Sequence, residues 1–177
     1  MGTVIGFEFE GGAVIAGDRL VVEGNTVRSR NARKVFDYDR VGAGAVGSQG
    51  DVKEFSNSLE SEIRKYGIEH GNTMRIERAA SVASSIAKET NINAIVSAHD
   101  ADEIAEIRQI DSEGGVLEDD VTAVGSGSGV ALGFLEGCDT RVSLDEAKSI
   151  VQECFETVAE RDPRTGDEFD IWSLENR

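Results

Sequence analysis

Few side chains in this sequence could act as a nucleophile or base near neutral pH. Thr3 lies in the opening stretch MGTVIGFEFEGGAVIAGDR, close to the amino terminus. A hydroxyl is a poor nucleophile without a base, and an α-amine with a pKa of roughly 8 is such a base. Thr3 is therefore either a nucleophile served by its own amine or an ordinary strand residue. His70 and His99 are the only histidines. Neither has the spacing of a zinc site, and no GxSxG elbow is present, so both read as surface or loop residues. GSGSG at 125–129 could hold an anion on backbone amides. It lacks the P-loop lysine, however, and reads as the glycine-rich start of a helix. Asp100, Asp102 and Glu103, like Glu118, Asp119 and Asp120, read as solvated loop charges rather than a cation site. Cys138 and Cys154 are not at metal-ligand spacing and read as buried free thiols. Asp18 and Lys34, taken alone, read as a structural ion pair.

Composition narrows the classes further. Thirty-four acidic residues face 18 basic ones, a formal net charge of -16. Such a surface repels a phosphate backbone, which argues against nucleic acid as a partner. Only five basic residues are lysines, and many carboxylates with scarce lysine suggest a protein built for high salt, where counterions screen the self-repulsion. No run approaches the roughly 18 apolar residues of a membrane span. No basic region followed by an apolar core marks a secretory signal, so a cytoplasmic location is expected.

The elements that must position these groups are legible in the periodicity. Residues 3–9 alternate weakly, Gly11-Gly12 is a turn, and 13–17 is a second strand. TVRS, VFDYD and VGAGAVG follow as short strands. The period then changes: Val52, Phe55, Leu59 and Ile63 share one helix face, with Asp51 as the expected cap. A second helix is expected over 76–88. AIVSAH and EIAEIRQI read as a strand pair, VTAVG as another strand, and a helix follows GSGSG. The strongest helix signal covers 144–161, where Ser143 and Glu146 form a capping box ahead of the stripe Ala147, Ile150, Val151, Cys154, Phe155 and Val158. EFDIW closes the chain as a strand. This order predicts one α+β domain over residues 1–177, with helix pairs covering strand layers.

Several separated pieces, read together, resemble one family. VIAGDR followed by GNTVRSRNARKVF, then AVGSQGD, GGVLEDD, VGSGSGVALGFLE and AERDPRTGD, are similar to proteasome β-type subunits, which are N-terminal-nucleophile hydrolases. The first portion also resembles the bacterial ATP-dependent relatives. The resemblance implies a four-layer α-β-β-α sandwich, and a strand starting at residue 3 favours the β type over the α type. It places Asp18 and Lys34 on the family's catalytic acid and lysine, and Gly47 on the glycine whose N–H stabilises the oxyanion. Ser126, Asp162 and Thr165 fall on the network around the terminal amine, with threonine at 165 in place of the usual serine. Ala32 and Ala45 hint at a roomy specificity pocket. The implied partners are unfolded polypeptide as substrate and further copies in a homo-oligomeric ring, with other proteasome-like subunits or an unfoldase as possible companions. No cofactor or metal is implied.

The front of the chain departs from this pattern. Counting back from Asp18 or from Lys34 without a gap puts Gly2, which has no hydroxyl, where the family carries its nucleophilic threonine. In that register the chain is a non-catalytic β-like subunit. Alternatively, Gly2-Thr3 resembles a propeptide junction, and cleavage there would make Thr3 the active residue. That requires a one-residue slip of the first strand, absorbed by a bulge such as Gly11-Gly12. A third reading is a non-proteolytic amidohydrolase or transpeptidase on the same fold.

Overall fold

The computed structural model describes residues 1–177, and it is built from two antiparallel sheets with a helix pair on each outer face. Strand β1 (Thr3–Phe9) turns through Glu10 and Gly11 into β2 (Gly12–Asp18). Every residue of β2 is buried, as is nearly all of β1. Both strands lie inside the sandwich with both faces covered, which explains the weak alternation of their sequences. β10 (Val121–Gly125) pairs with β1, and β11 (Phe169–Glu175) pairs with β2, giving the order β10-β1-β2-β11.

The second sheet runs β5 (Val35–Asp37), β6 (Gly42–Val46), β7 (Asn93–His99), β8 (Ala105–Ile110) and β9 (Val116–Leu117) in chain order. A separate hairpin, β3 (Val21–Glu23) with β4 (Thr26–Ser29), carries a bulge at its first pair. The helices are α1 (Gln49–His70), α2 (Ile76–Thr90), α3 (Ser128–Leu135) and α4 (Leu144–Arg161). None of them is long and apolar enough to cross a membrane.

Three apolar clusters correspond to the three interfaces of the stack. Phe55 and Leu59 of α1 and Ile76 and Ala83 of α2 pack on Val96, Ala98 and Ile110 of the five-stranded sheet. Ala131 and Leu135 of α3 and Val151, Phe155 and Val158 of α4 pack on Ile5, Phe7, Val14 and Ala16. Val4, Ala13 and Ile15 meet Val46, Ile95, Ile107 and Trp172 between the two sheets. Along β1 the odd residues Ile5 and Phe7 therefore point to the α3/α4 layer, and the even residue Val4 points between the sheets. This parity decides the chemistry at the strand's first residues. The architecture is the α-β-β-α sandwich that the family resemblance implies.

The expected elements differ from the observed ones in instructive places. α1 starts at Gln49, before Asp51, and its cap is Ser48, whose Oγ accepts from the Asp51 N–H. Asp51 instead accepts the Ser48 hydroxyl from within the first turn. α2 runs past Lys88 to Thr90 and stops at Asn91, which adopts the left-handed conformation. The Ser143–Glu146 capping box forms as read. His99 is not a surface residue: it ends β7 only 5% exposed, because the α1–α2 connection and the chain's last residues cover it. Glu103 is not simply solvated either, since Arg75 and Arg177 both pair with it.

Candidate active site

At the open end of the β1–β2 hairpin the structure gathers Gly2, Thr3, Asp18, Lys34, Ser126, Asp162 and Thr165, residues spread over most of the sequence. Asp18 ends β2, and its side chain is fully buried. Its Oδ1 accepts from the Thr3 N–H at 2.8 Å and from Lys34 Nζ at 2.7 Å. Its Oδ2 accepts from the N–H groups of Leu20 at 2.9 Å and Gly166 at 3.0 Å. A carboxylate with this many donors is well matched to burial.

Lys34, only 2% exposed, also donates to the Leu20 carbonyl at 2.6 Å. Burial holds its ammonium below the ordinary lysine value, while the Asp18 charge and hydrogen bond oppose that drop. The lysine is fixed between the two sheets because its own carbonyl accepts from Ala45 of β6 at 2.9 Å. Gly47 lies just beyond the end of β6. A Cβ on Gly47 would meet Ile92 Cγ2 at 2.8 Å, so packing alone demands a glycine there.

The residue that faces Lys34 is Gly2. It is buried, with φ of +127°, a conformation that side-chain-bearing residues rarely adopt. A Cβ on Gly2 would lie 2.1 Å from Lys34 Nζ and 2.5 Å from Asp18 Oδ1. The ammonium and carboxylate thus occupy the space that a side chain at this position would need.

Thr3 faces the other way. Its Oγ1 lies 2.7 Å from Thr165 Oγ1 and accepts from the Gly127 N–H at 2.9 Å. The Thr165 hydroxyl donates to Asp162 Oδ2, so its single proton is committed, and Thr3 must be the donor of the pair. Ser126 Oγ donates to the same Asp162 oxygen at 2.6 Å. Burial pushes Asp162 up, but the bonds from Ser126, Thr165 and the Arg164 N–H, together with the Arg164 charge, outweigh it and hold it below the ordinary carboxylate value. The Thr3 hydroxyl is therefore the head of a closed chain of hydrogen bonds ending on Asp162, and it makes no bond to Lys34.

The pairing of β1 fixes this arrangement. Thr3 stands opposite Gly125 and Val4 opposite Gly17, and the β1–β2 ladder runs without a bulge from Val4 to Phe9. The turn is Glu10-Gly11, with Gly12 already the first residue of β2, and no slip is absorbed there. Several partners were invisible to a reading of side-chain types, because the Leu20 carbonyl and the Gly166 and Gly127 amides are backbone groups. The one available signal was the glycine run at 125–129. There a Cβ on Gly127 would meet Thr3 Oγ1 at 2.6 Å, and one on Gly125 would meet the Gly2 carbonyl oxygen at 1.9 Å.

The chain is similar to known proteins over nearly its whole length. A family model described as proteasome subunit matches residues 1–174. The chain is 36% identical over 170 residues to proteasome subunit beta 2 of Haloterrigena turkmenica, covering 93% of this chain and 71% of the relative. It is 35% identical over 170 residues to proteasome subunit beta of Natrialba magadii, covering 93% and 70%. It is 30% identical over 176 residues to proteasome subunit beta 1 of Hyperthermus butylicus, covering 96% and 86%. The first two come from halophiles, in keeping with the acidic excess.

Proposed function

The chain belongs to the proteasome subunit family, and on that premise we propose that it is a β-type subunit that takes its place in a protein-degrading ring without itself cutting peptide bonds. The observation that carries this reading is the pairing of Lys34 with a glycine. In an N-terminal-nucleophile reaction one residue supplies both the attacking hydroxyl and the amine that takes its proton. A neighbouring lysine then stabilises the developing alkoxide, and a backbone N–H stabilises the tetrahedral oxyanion, an effect worth about 3 kcal/mol for one donor. By the family resemblance, Lys34, Asp18 and Gly47 are the residues for those supporting roles. The side chain they would serve is missing, because Gly2 has no hydroxyl.

The retained Asp18–Lys34 pair fits this reading. Removing one partner of a buried ion pair strands the other, so the pair outlives its catalytic use on stability grounds alone. Activity from Thr3 would require β1 to slip by one residue. That slip would turn Ile5 and Phe7, both fully buried against α3 and α4, toward the opposite sheet. The subunit's role is then assembly, gating or holding of unfolded polypeptide alongside catalytic proteasome-like subunits.

The test is turnover of a fluorogenic peptide by the purified full chain, with intact-mass measurement of the same sample. No turnover above background is expected, from the native protein or from Thr3→Ala. A rate that disappears in Thr3→Ala, in a sample whose mass shows Thr3 as the first residue, would overturn the reading.

A further inference from the structure

At the other end of the five-stranded sheet lies a cavity that the proteolytic reading does not use. We infer that it is a binding site for hydrogenphosphate. The cavity, of about 240 Å³, opens where the end of α1, the α1–α2 connection and the end of β7 meet. Its charged lining is Arg40, Arg75, Arg177, His99 and Glu103. The Lys34 carbonyl bonds Ala45, which pairs with Ala94 near the start of β7, whereas His99 ends that strand. At ~3.3 Å per residue the two sites are on the order of 20 Å apart.

Three guanidinium groups face a single carboxylate here, in a chain that is otherwise strongly acidic. Arg75 Nη2 is 2.8 Å from Glu103 Oε1, and Arg177 Nη1 is 3.5 Å from Glu103 Oε2. Arg40 has no ion-pair partner although it lines the same cavity. The surplus of positive charge matches a dianion, and planar guanidinium forks match the paired oxygens of an oxyanion better than a spherical halide.

A second observation comes from His99, which is 5% exposed. Its Nε2 lies 2.8 Å from the Glu175 carbonyl oxygen, which can only accept, so Nε2 carries the proton. In the neutral ring Nδ1 is then an acceptor without a donor. Glu103 Oε2 lies 3.9 Å from it, itself an acceptor and beyond hydrogen-bond reach. Nδ1 makes no hydrogen bond within the protein, and it is an acceptor beside the arginine donors that line the cavity with Glu103. Hydrogenphosphate supplies what both halves need: bare oxygens for the arginines and one O–H for Nδ1. Sulfate has the oxygens without the O–H.

Isothermal titration of the full chain with inorganic phosphate, in KCl at fixed ionic strength near pH 7.5, tests this. Saturable binding is expected, with sulfate and the methyl phosphate dianion each weaker by about tenfold, because each leaves Nδ1 unpaired. Arg40→Gln should weaken phosphate by about tenfold or more, since a charge-assisted bond is lost. Circular dichroism should show that variant folded. Glu103→Gln should tighten phosphate binding, because it removes the competing carboxylate, and it decides the matter independently if Arg40→Gln does not fold. Absence of saturable phosphate binding, equal affinity for sulfate, or an unchanged affinity in folded Arg40→Gln would each overturn the assignment. None of these readouts depends on peptide hydrolysis, so this inference and the proteolytic reading fail separately.

Discussion

Gly2 and Thr3 are neighbours in the chain, yet they look into two different environments. On the Gly2 side a buried ammonium and carboxylate face each other between the sheets, with no side chain from β1 to engage them. On the Thr3 side the groups are neutral hydroxyls and an amide, and the β1 side chain is the one that completes them. The side with the ion pair has no hydroxyl, and the side with the hydroxyl commits its proton to Thr165. Position along the strand decides which of these two environments a residue meets. The same two sides also differ in what they contribute to stability, and that difference can be measured.

The largest effect is expected from Asp18→Ala, measured by urea unfolding in KCl. It should cost about 3–5 kcal/mol, because it strands Lys34 and removes the acceptor of three backbone N–H groups. Lys34→Met should cost less, since Asp18 keeps those amide donors. A larger loss from Lys34→Met than from Asp18→Ala would show that the lysine, rather than the carboxylate, organises this end of the hairpin.

On the other side, Thr3→Val keeps the shape but leaves the Gly127 N–H and the Thr165 hydroxyl one partner short. It should cost about 1–3 kcal/mol, with Thr3→Ser recovering most of it. A neutral Thr3→Val would break the comparison by showing that the hydroxyl is not committed to the fold.

The smallest effect sharpens the contrast along the same strand. Glu8 is half-buried, and its carboxylate's only hydrogen bond comes from the Ile107 N–H, with Asp120 and Glu106 nearby. Burial is the main cause of its rise to about 7, with those acids adding to it and the Ile107 bond and Arg108 opposing it. The folded state therefore binds this proton more tightly than the unfolded chain does. The stability contributed by protonated Glu8 is full below the ordinary carboxylate range and is lost as pH rises through about 7. Glu8→Gln should flatten the fall in urea midpoint between about pH 5 and pH 8. An unchanged slope would mean that Glu8 does not titrate in that window. Asp18 and Glu8 thus show that a buried carboxylate needs several donors as well as enclosure.

Much of this was legible in the residues. The capping box at Ser143 and the apolar stripe behind it gave α4, and the change from strand to helix periodicity located α1 within a turn. The cap of α1 was misassigned because Ser48 and Asp51 bond reciprocally, and either residue alone looks like a cap. The spacing from both Asp18 and Lys34 pointed to Gly2, and the structure sets that residue against both side chains. The burial of His99 had no local signal, since the segments that cover it come from the α1–α2 connection and from the far end of the chain.

The sequence by itself determined the element order, the acidic surface and the family pattern carried by the GDR, GSGSG and RDPRTGD segments, because these rest on composition and short-range spacing. Only the tertiary structure decided which way Gly2 and Thr3 face. That orientation depends on β1 pairing with β10, more than a hundred residues away, and on Thr165 arriving beneath it. The alternation of a strand leaves two faces open to each residue, and the packing of Ile5 and Phe7 against α3 and α4 selects one of them.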